Sequence, residues 1–287
     1  LLPDFLLILF GAFLIRATKW GTPFWEGMEK MIYYILFPAL LFYSTARSPI
    51  DFSKTGTFLQ IAIAACISGI LFGWLAKPLF KVKPMIFESG VQTAFRFNSY
   101  IALAIASRLG GPEGTSLMGL IIGFAVPLCN MAAVHALVKD KGGLLFELLM
   151  NPLLVATLSG VLFNLAGLHL PELASAFLSR LGNASIALGL IMVGAGLRMT
   201  GLHESKGIAA WFLTVKLLVV PAITYGLGIW AGLSPEQLTL VVMFAALPTA
   251  SSCYVLAVRM GGNGPFTAFL ISASTLLSMA SLPLWLA

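Results

Sequence analysis

Arg96, Asn98, Ser99 and Tyr100 interrupt one apolar run, QTAFRFNSYIALAIASRLGG (Gln92–Gly111). Pro248, Thr249, Ser251, Ser252 and Tyr254 interrupt a second, MFAALPTASSCYVLAVRMGG (Met243–Gly262). The two align without gaps at an offset of 151, and their tails coincide as A-x-R-x-G-G, Ala106–Gly111 against Ala257–Gly262. A helix that stops and restarts inside a membrane leaves four backbone N–H groups free at the restart. That restart also carries about half a positive charge. Two such starts flanked by Asn98, Ser99, Thr249, Ser251 and Ser252 make a site for an anion, with the amide and hydroxyl groups as direct ligands or as caps. Caps that only tidy the helix ends are the plainer reading of any single hydroxyl. Paired interruptions in matching positions of two halves point to a carrier's binding site.

The half-helices that end at the interruptions present negative poles, where a cation-coupled carrier places an acid or a sodium ion. Neither interruption contains Asp or Glu. Arg96, in the last turn before Asn98, either supplies positive charge there or simply complements a helix end. Lys216, in WFLTVKLLVVP, lies in mid-span. Lysine there costs about 2.5–3.5 kcal/mol on insertion scales, so it should face the protein interior. It could approach a ligand, pair with a helix C-terminus or relay a proton. Glu88 is the acid nearest the first interruption and is expected to line the cytoplasmic mouth or to take part in coupling. Asn130 is a further candidate ligand, whereas His135 is expected at a membrane surface.

Nothing in the chain resembles a catalytic set. HExxH, GxSxG and a phosphate-binding glycine loop are all missing, so the expectation is not an enzyme, with no cofactor and no metal. Cys66, Cys129 and Cys253 sit in apolar segments without CxxC spacing and read as small buried side chains. The net charge of +6 is scattered over short loops, which argues against nucleic acid as a partner. No basic stretch precedes the first apolar run, and Asp4 stands where a leader would carry Lys, so a cleaved signal peptide is not expected.

The elements that would position these residues are membrane helices. The 287 residues are 59% hydrophobic and 10% charged, against roughly 25% charged in a soluble domain. Mean hydropathy is +0.96. Phe58–Ala76, Leu148–Leu168, Gln237–Val258 and Pro265–Ala287 carry no charge at all, and about 20 apolar residues cross a bilayer. Ten spans are predicted: Pro3–Arg16, Trp25–Ala46, Thr55–Ala76, Pro84–Leu109, Pro112–Val138, Leu145–Leu168, Pro171–Leu197, Gly207–Gly232, Glu236–Met260 and Asn263–Ala287. The first is short, as it would be if residues precede Leu1. Alternate loops hold ten Lys and Arg against four in the others, which predicts cytoplasmic basic loops and both termini on the non-cytoplasmic side. Pro3 and Gly11 recur as Pro152 and Gly160 at an offset of 149. Five spans per copy is odd, so residues 1–140 and 141–287 are predicted to form two inverted repeats. GxxxG pairs at Gly69/Gly73, Gly119/Gly123 and Gly228/Gly232 predict close helix contacts.

Taken in order, FPALLF (Phe37–Phe42), FNSY (Phe97–Tyr100), Asn151-Pro152, Lys216 with Pro221, AALP (Ala245–Pro248) and Leu282-Pro283 resemble the auxin efflux carrier family, which includes bacterial organic-acid permeases and the plant PIN-FORMED carriers. The likeness covers essentially the whole chain. It implies an all-α membrane protein of ten helices in two inverted repeats, with crossing broken fourth and ninth helices and an elevator mechanism. It implies that the first, second, sixth and seventh spans form a scaffold and a homodimer surface, and that the other six form the moving unit. It implies a small organic anion as substrate, the bacterial inner membrane as location, and Asn98 as the crossover asparagine. Two departures stand out. Phe97 replaces the proline often found before that asparagine, which predicts a gentler first break. Residues Lys139 to Gly143 simply turn where the long plant carriers hold a large insert, which favours a short dicarboxylate such as malate or malonate over auxin. The competing readings are a sodium-coupled bile-acid-type symporter and a membrane sensor that binds an anion without moving it.

Overall fold

The computed structural model describes residues 2–47, 52–137, 152–197 and 205–287. The predicted turn at 139–143, Asn151 and the basic positions Lys139, Lys141 and Arg198 lie outside the described residues. Among those described, all regular secondary structure is helical. That is what hydrocarbon demands of an open chain, since a helix pairs its backbone polar groups within itself.

Helices occupy each of the ten predicted segments. They are α1 (Leu2–Ala17), α2 (Thr22–Met31), α3 (Phe37–Arg47), α4 (Phe52–Leu79), α5 (Pro84–Gly90), α6 (Ser99–Leu137), α7 (Pro152–Leu165), α8 (Glu172–Ala195), α9 (Lys206–Thr214), α10 (Val220–Trp230), α11 (Pro235–Ala245), α12 (Ser252–Arg259) and α13 (Gly264–Leu286). Five helical stretches among the described residues are long and apolar enough to cross a membrane: Thr55–Leu79, Pro84–Leu137, Glu172–Ala195, Lys206–Trp230 and Gly264–Leu286. Large apolar side chains such as Leu71, Leu173 and Leu284 are exposed along them. The fourth and fifth predicted spans are joined in α6 by a sharp change of direction at Gly111, whose φ of 53° suits glycine.

Two of the predicted spans contain a π-helical turn. Ile32–Leu36 joins α2 to α3 and Val215–Val219 joins α9 to α10. Each precedes a proline, Pro38 or Pro221, that lacks an N–H and so releases a carbonyl one turn back. For Pro221 that carbonyl belongs to Leu217, and the Trp285 indole N–H donates to it at 2.9 Å.

The chain divides into two compact units. The first is Leu1–Thr55, Tyr100–Phe124 and Gly143–Gly196; the second is Gly56–Ser99, Ala125–Gly142 and Leu197–Ala287. The first unit gathers the first, second, sixth and seventh predicted spans, together with Tyr100–Phe124. Within it α1 packs along α8 and α3 packs along α7. Glycines set both contacts. A Cβ on Gly11 would collide with the carbonyl of Ile191, and one on Gly194 with the carbonyl of Ile8. A Cβ on Gly160 would collide with Thr45 Oγ1 and lie 2.9 Å from the Phe42 carbonyl. Gly11 and Gly160, Phe42 and Ile191, and Thr45 and Gly194 are each 149 residues apart, so the two contacts are one contact built twice.

In the second unit α4 lies on the first interruption through the Gly69/Gly73 pair. A Cβ on Gly69 would stand 3.0 Å from the Ala94 carbonyl, and one on Gly73 would stand 3.1 Å from Ala94 Cβ. At the start of α11, Ser234 and Gln237 form a reciprocal capping box. Asn263 caps α13 by accepting from the Phe266 N–H at 3.0 Å.

Gly194→Ala should destabilise the fold by ~1–3 kcal/mol, the usual cost of overpacking. Gly56→Ala should be neutral or slightly stabilising, because nothing lies within 4 Å of its Cβ position and alanine favours the helix of α4. Thermal unfolding of the purified protein in detergent checks the pair, and equal melting temperatures would contradict the packing described.

Candidate functional site

Both predicted interruptions are present. The first half of the fourth span ends in α5 and a 3-10 turn, Val91–Ala94, after which Phe95–Asn98 are non-helical until α6 begins at Ser99. The ninth span stops at the end of α11, runs without helix from Ala246 to Ser251, and resumes as α12. Pro248 explains the second break, since it lacks a donor and disfavours helix at Leu247. The first break has no proline and is nonetheless complete, contrary to the gentler one that Phe97 predicts.

The first break holds because its backbone bonds elsewhere. The Asn98 N–H donates to the Pro248 carbonyl at 2.9 Å, so the two interruptions meet directly. Thr249 Oγ1 donates to the Thr93 carbonyl at 2.8 Å, and the Thr249 N–H donates to Ser274 Oγ at 3.1 Å. Gln92 Nε2 donates to the Cys253 carbonyl at 3.2 Å. The rings of Phe97 and Phe244 pack edge to face, with centroids 4.6 Å apart. Each of these hydrogen bonds pairs a buried polar group with a partner outside its own helix.

Arg96 sits inside this junction, 9% exposed. Its Nη1 donates to Gln92 Oε1 at 2.9 Å, and its Nη2 donates to Asn130 Oδ1 at 2.9 Å and to Ser252 Oγ at 3.0 Å. Among the described residues every partner of the guanidinium is uncharged. The cation therefore stands at the first residue of α12, where the helix pole is also positive.

Lys216 lies in the π-helical turn and is 3% exposed. Its Nζ donates to the carbonyl of Ala245, the last residue of α11, at 3.1 Å. Of the readings open from the sequence, this is the pairing with a helix C-terminus, where a cation meets a negative pole. Lys216, rather than Arg96, occupies the position at which a coupling cation would offset that pole.

The structure thus brings Arg96, Asn130 and Ser252 into one cluster, with Asn98, Pro248 and Thr249 in the adjoining backbone junction. Ser251 and Ser99 are half-buried at the start of the resumed helices, and the Ser251 hydroxyl has no partner among the described residues. Tyr100 belongs to the first unit, where its ring lies 4.7 Å from that of Phe37 and against Gly189. Glu88 does not join Arg96. It lines a separate cavity of about 300 Å³ with Trp74, Lys77, Phe87 and His135. His135 is exposed, with its ring 5.8 Å from that of Trp74.

All three cysteines are free and buried. Cys129 Sγ donates to the Phe95 carbonyl at 3.5 Å. Among the described residues no three His, Cys, Asp or Glu gather as metal ligands.

Sequence reasoning missed Gln92, Thr93 and Ser274. Gln92 had a usable signal: it precedes Arg96 by four residues, the spacing that puts two side chains on one helix face. Ser274 had none, because only the packing of α13 brings it to Thr249.

Comparison with known proteins agrees with this architecture. A family model described as "Membrane transport protein" matches residues 135–286, more than half of the chain. The chain is 25% identical to an "Uncharacterized transporter" of Methanothermobacter thermautotrophicus strain Delta H over 295 residues, covering 97% of this chain and 94% of that protein. It is 22% identical to a "Putative malonate transporter" of Rhizobium meliloti strain 1021 over 296 residues, covering 98% of this chain and 92% of that one. With its apolar helices and its two interrupted segments, the chain belongs to the membrane transport protein family, the auxin efflux carrier family that its motifs resemble.

Proposed function

We propose that this multi-pass membrane protein is a secondary carrier of small organic anions, with a short dicarboxylate such as malonate or malate as substrate. The observation that carries the reading is the junction of the two interruptions. Asn98 and Pro248 are joined through their backbones, and a buried Arg96, whose partners among the described residues are all uncharged, stands against the first residue of α12. Asn98, Ser99, Thr249, Ser251, Ser252 and Asn130 would supply hydrogen bonds to carboxylate oxygens, and Arg96 would supply the charge. The name of the Rhizobium relative favours malonate among the dicarboxylates.

The doubled glycine contacts, Gly11 on Ile191 and Gly160 on Phe42, support two inverted five-helix repeats. The grouping of the first, second, sixth and seventh spans in one unit supports an elevator with those four spans as the fixed and dimerising part, whereas Tyr100–Phe124, expected in the moving part, groups with them. The junction supports a crossing of the fourth and ninth spans, and the ten-against-four loop charge supports both termini on the non-cytoplasmic side of the membrane.

Lys216 bears on coupling. A sodium-coupled symporter would place its ion at the negative end of α11, where the Lys216 ammonium already donates to Ala245. The carrier is therefore read as sodium-independent, with uniport or proton coupling in its place.

Counterflow of labelled malonate into proteoliposomes tests the proposal. Uptake is expected to be the same in sodium and choline media; uptake that vanishes without sodium would restore the symporter reading. A sensor of the same fold would bind malonate and show no counterflow. Asn98→Ala should lower transport about 10- to 100-fold, the worth of a hydrogen bond to a charged ligand, while the unfolding midpoint stays near that of the wild type. Full activity in that variant removes Asn98 from the site. Lys216→Met should cost ~1–3 kcal/mol of stability by leaving a helix-end carbonyl unpaired, which thermal unfolding will show.

A further inference from the structure

Gln92 is fully buried and uses both ends of its amide. Its Oε1 accepts from Arg96 Nη1 at 2.9 Å, while its Nε2 donates to the carbonyls of Cys253 and Ser89, both at 3.2 Å. The orientation is fixed chemically. Turned over, the amide would face its NH2 toward a guanidinium and its oxygen toward two carbonyls.

The Ser89 end of this link is itself held. Ser89 Oγ accepts from the Asn263 N–H at 2.7 Å and donates to the Met85 carbonyl at 2.6 Å. Through Gln92 the guanidinium is thus tied at once to the first interruption and to the first turn of α12.

We infer that Gln92 is the residue that sets the charge selectivity of the site: it positions Arg96 with a neutral acceptor and so leaves the guanidinium charge for the ligand. The inference rests on the anion-carrier reading above. A glutamate four residues ahead of an arginine is a favourable ion pair on a helix. At this buried position it would discharge the cation. Glutamine supplies the same acceptor geometry without the countercharge, and Asn130 and Ser252, the other side chains that accept from Arg96, are neutral too. A carboxylate of the substrate is then the group that completes the ion pair, and ligands without a full negative charge gain nothing from it.

Gln92→Glu and Gln92→Met test this in proteoliposomes, with labelled malonate as the probe and malonate, its monoamide and its diamide as competitors. Gln92→Glu keeps the size and adds the countercharge. It should raise the malonate KM about tenfold or more and flatten the preference for malonate over its uncharged diamide, with kcat changed much less. Gln92→Met removes the positioning bonds without adding charge. It should raise the malonate KM about tenfold while keeping the order of the three competitors. Unchanged malonate KM in either folded variant overturns the inference. So does an equal loss for all three ligands in Gln92→Glu, which is the mark of a merely structural role. Should Gln92→Glu fail to fold, Gln92→Met decides the matter: a KM that rises for malonate and not for the diamide upholds the inference, and an equal rise for all three ligands overturns it. The carrier reading fails separately: if the wild type shows no counterflow but malonate raises its melting temperature, transport is wrong, and loss of that stabilisation in Gln92→Glu still upholds the role of Gln92.

Discussion

The hydrogen bond from the Asn98 N–H to the Pro248 carbonyl is the contact on which the second unit depends. In a membrane an unpaired backbone group costs several kcal/mol, so a helix can stop only where something else takes up its donors and acceptors. Each interruption here supplies what the other lacks. Pro248 offers a carbonyl, Thr249 a hydroxyl to Thr93, and Gln92 an amide to Cys253. Remove either interruption and the other is left with buried polar groups and no partner. The two breaks are therefore one feature, which explains why they occur as a matched pair in the chain.

Charge follows the same geometry. Where α11 ends, its carbonyl pole draws the Lys216 ammonium. At the start of α12 the pole is positive, yet Arg96 stands there as well, held by Gln92, Asn130 and Ser252, with no carboxylate partner among the described residues. One helix end is thus electrically answered from within the protein, and the other is made more positive. The proposed anionic substrate would complement that second end. The separation of roles turns on a π-helical turn, which carries Lys216 into the interior one turn ahead of Pro221.

The first unit is held by a different constraint. Between membrane helices apolar burial contributes little, because lipid tails are as apolar as leucine; close backbone approach contributes instead. Gly11 and Gly194 bring α1 and α8 together, and Gly160 brings α7 against α3. The three pairs spaced by 149 residues make this one packing solution used at two places in the unit.

By itself the sequence determined the helical class, the segment positions and the two breaks, because hydropathy, proline and runs of hydroxyl residues act locally through the chemistry of a helix in lipid. It also marked Asn98, Thr249, Arg96 and Lys216 as out of place in an apolar run. Only the tertiary structure decided which polar group answers which. Lys216 had three open roles, and its bond to Ala245 could not be read from residues 29 positions away. Ser274 meets Thr249, and Trp285 meets Leu217, through packing that leaves no trace in local spacing. Tyr100, next in the chain to Ser99, turned out to belong to the other unit. The reason is physical: a buried polar atom must be satisfied, but any acceptor within about 3 Å will do, and which one comes within reach is fixed by the packing of whole helices.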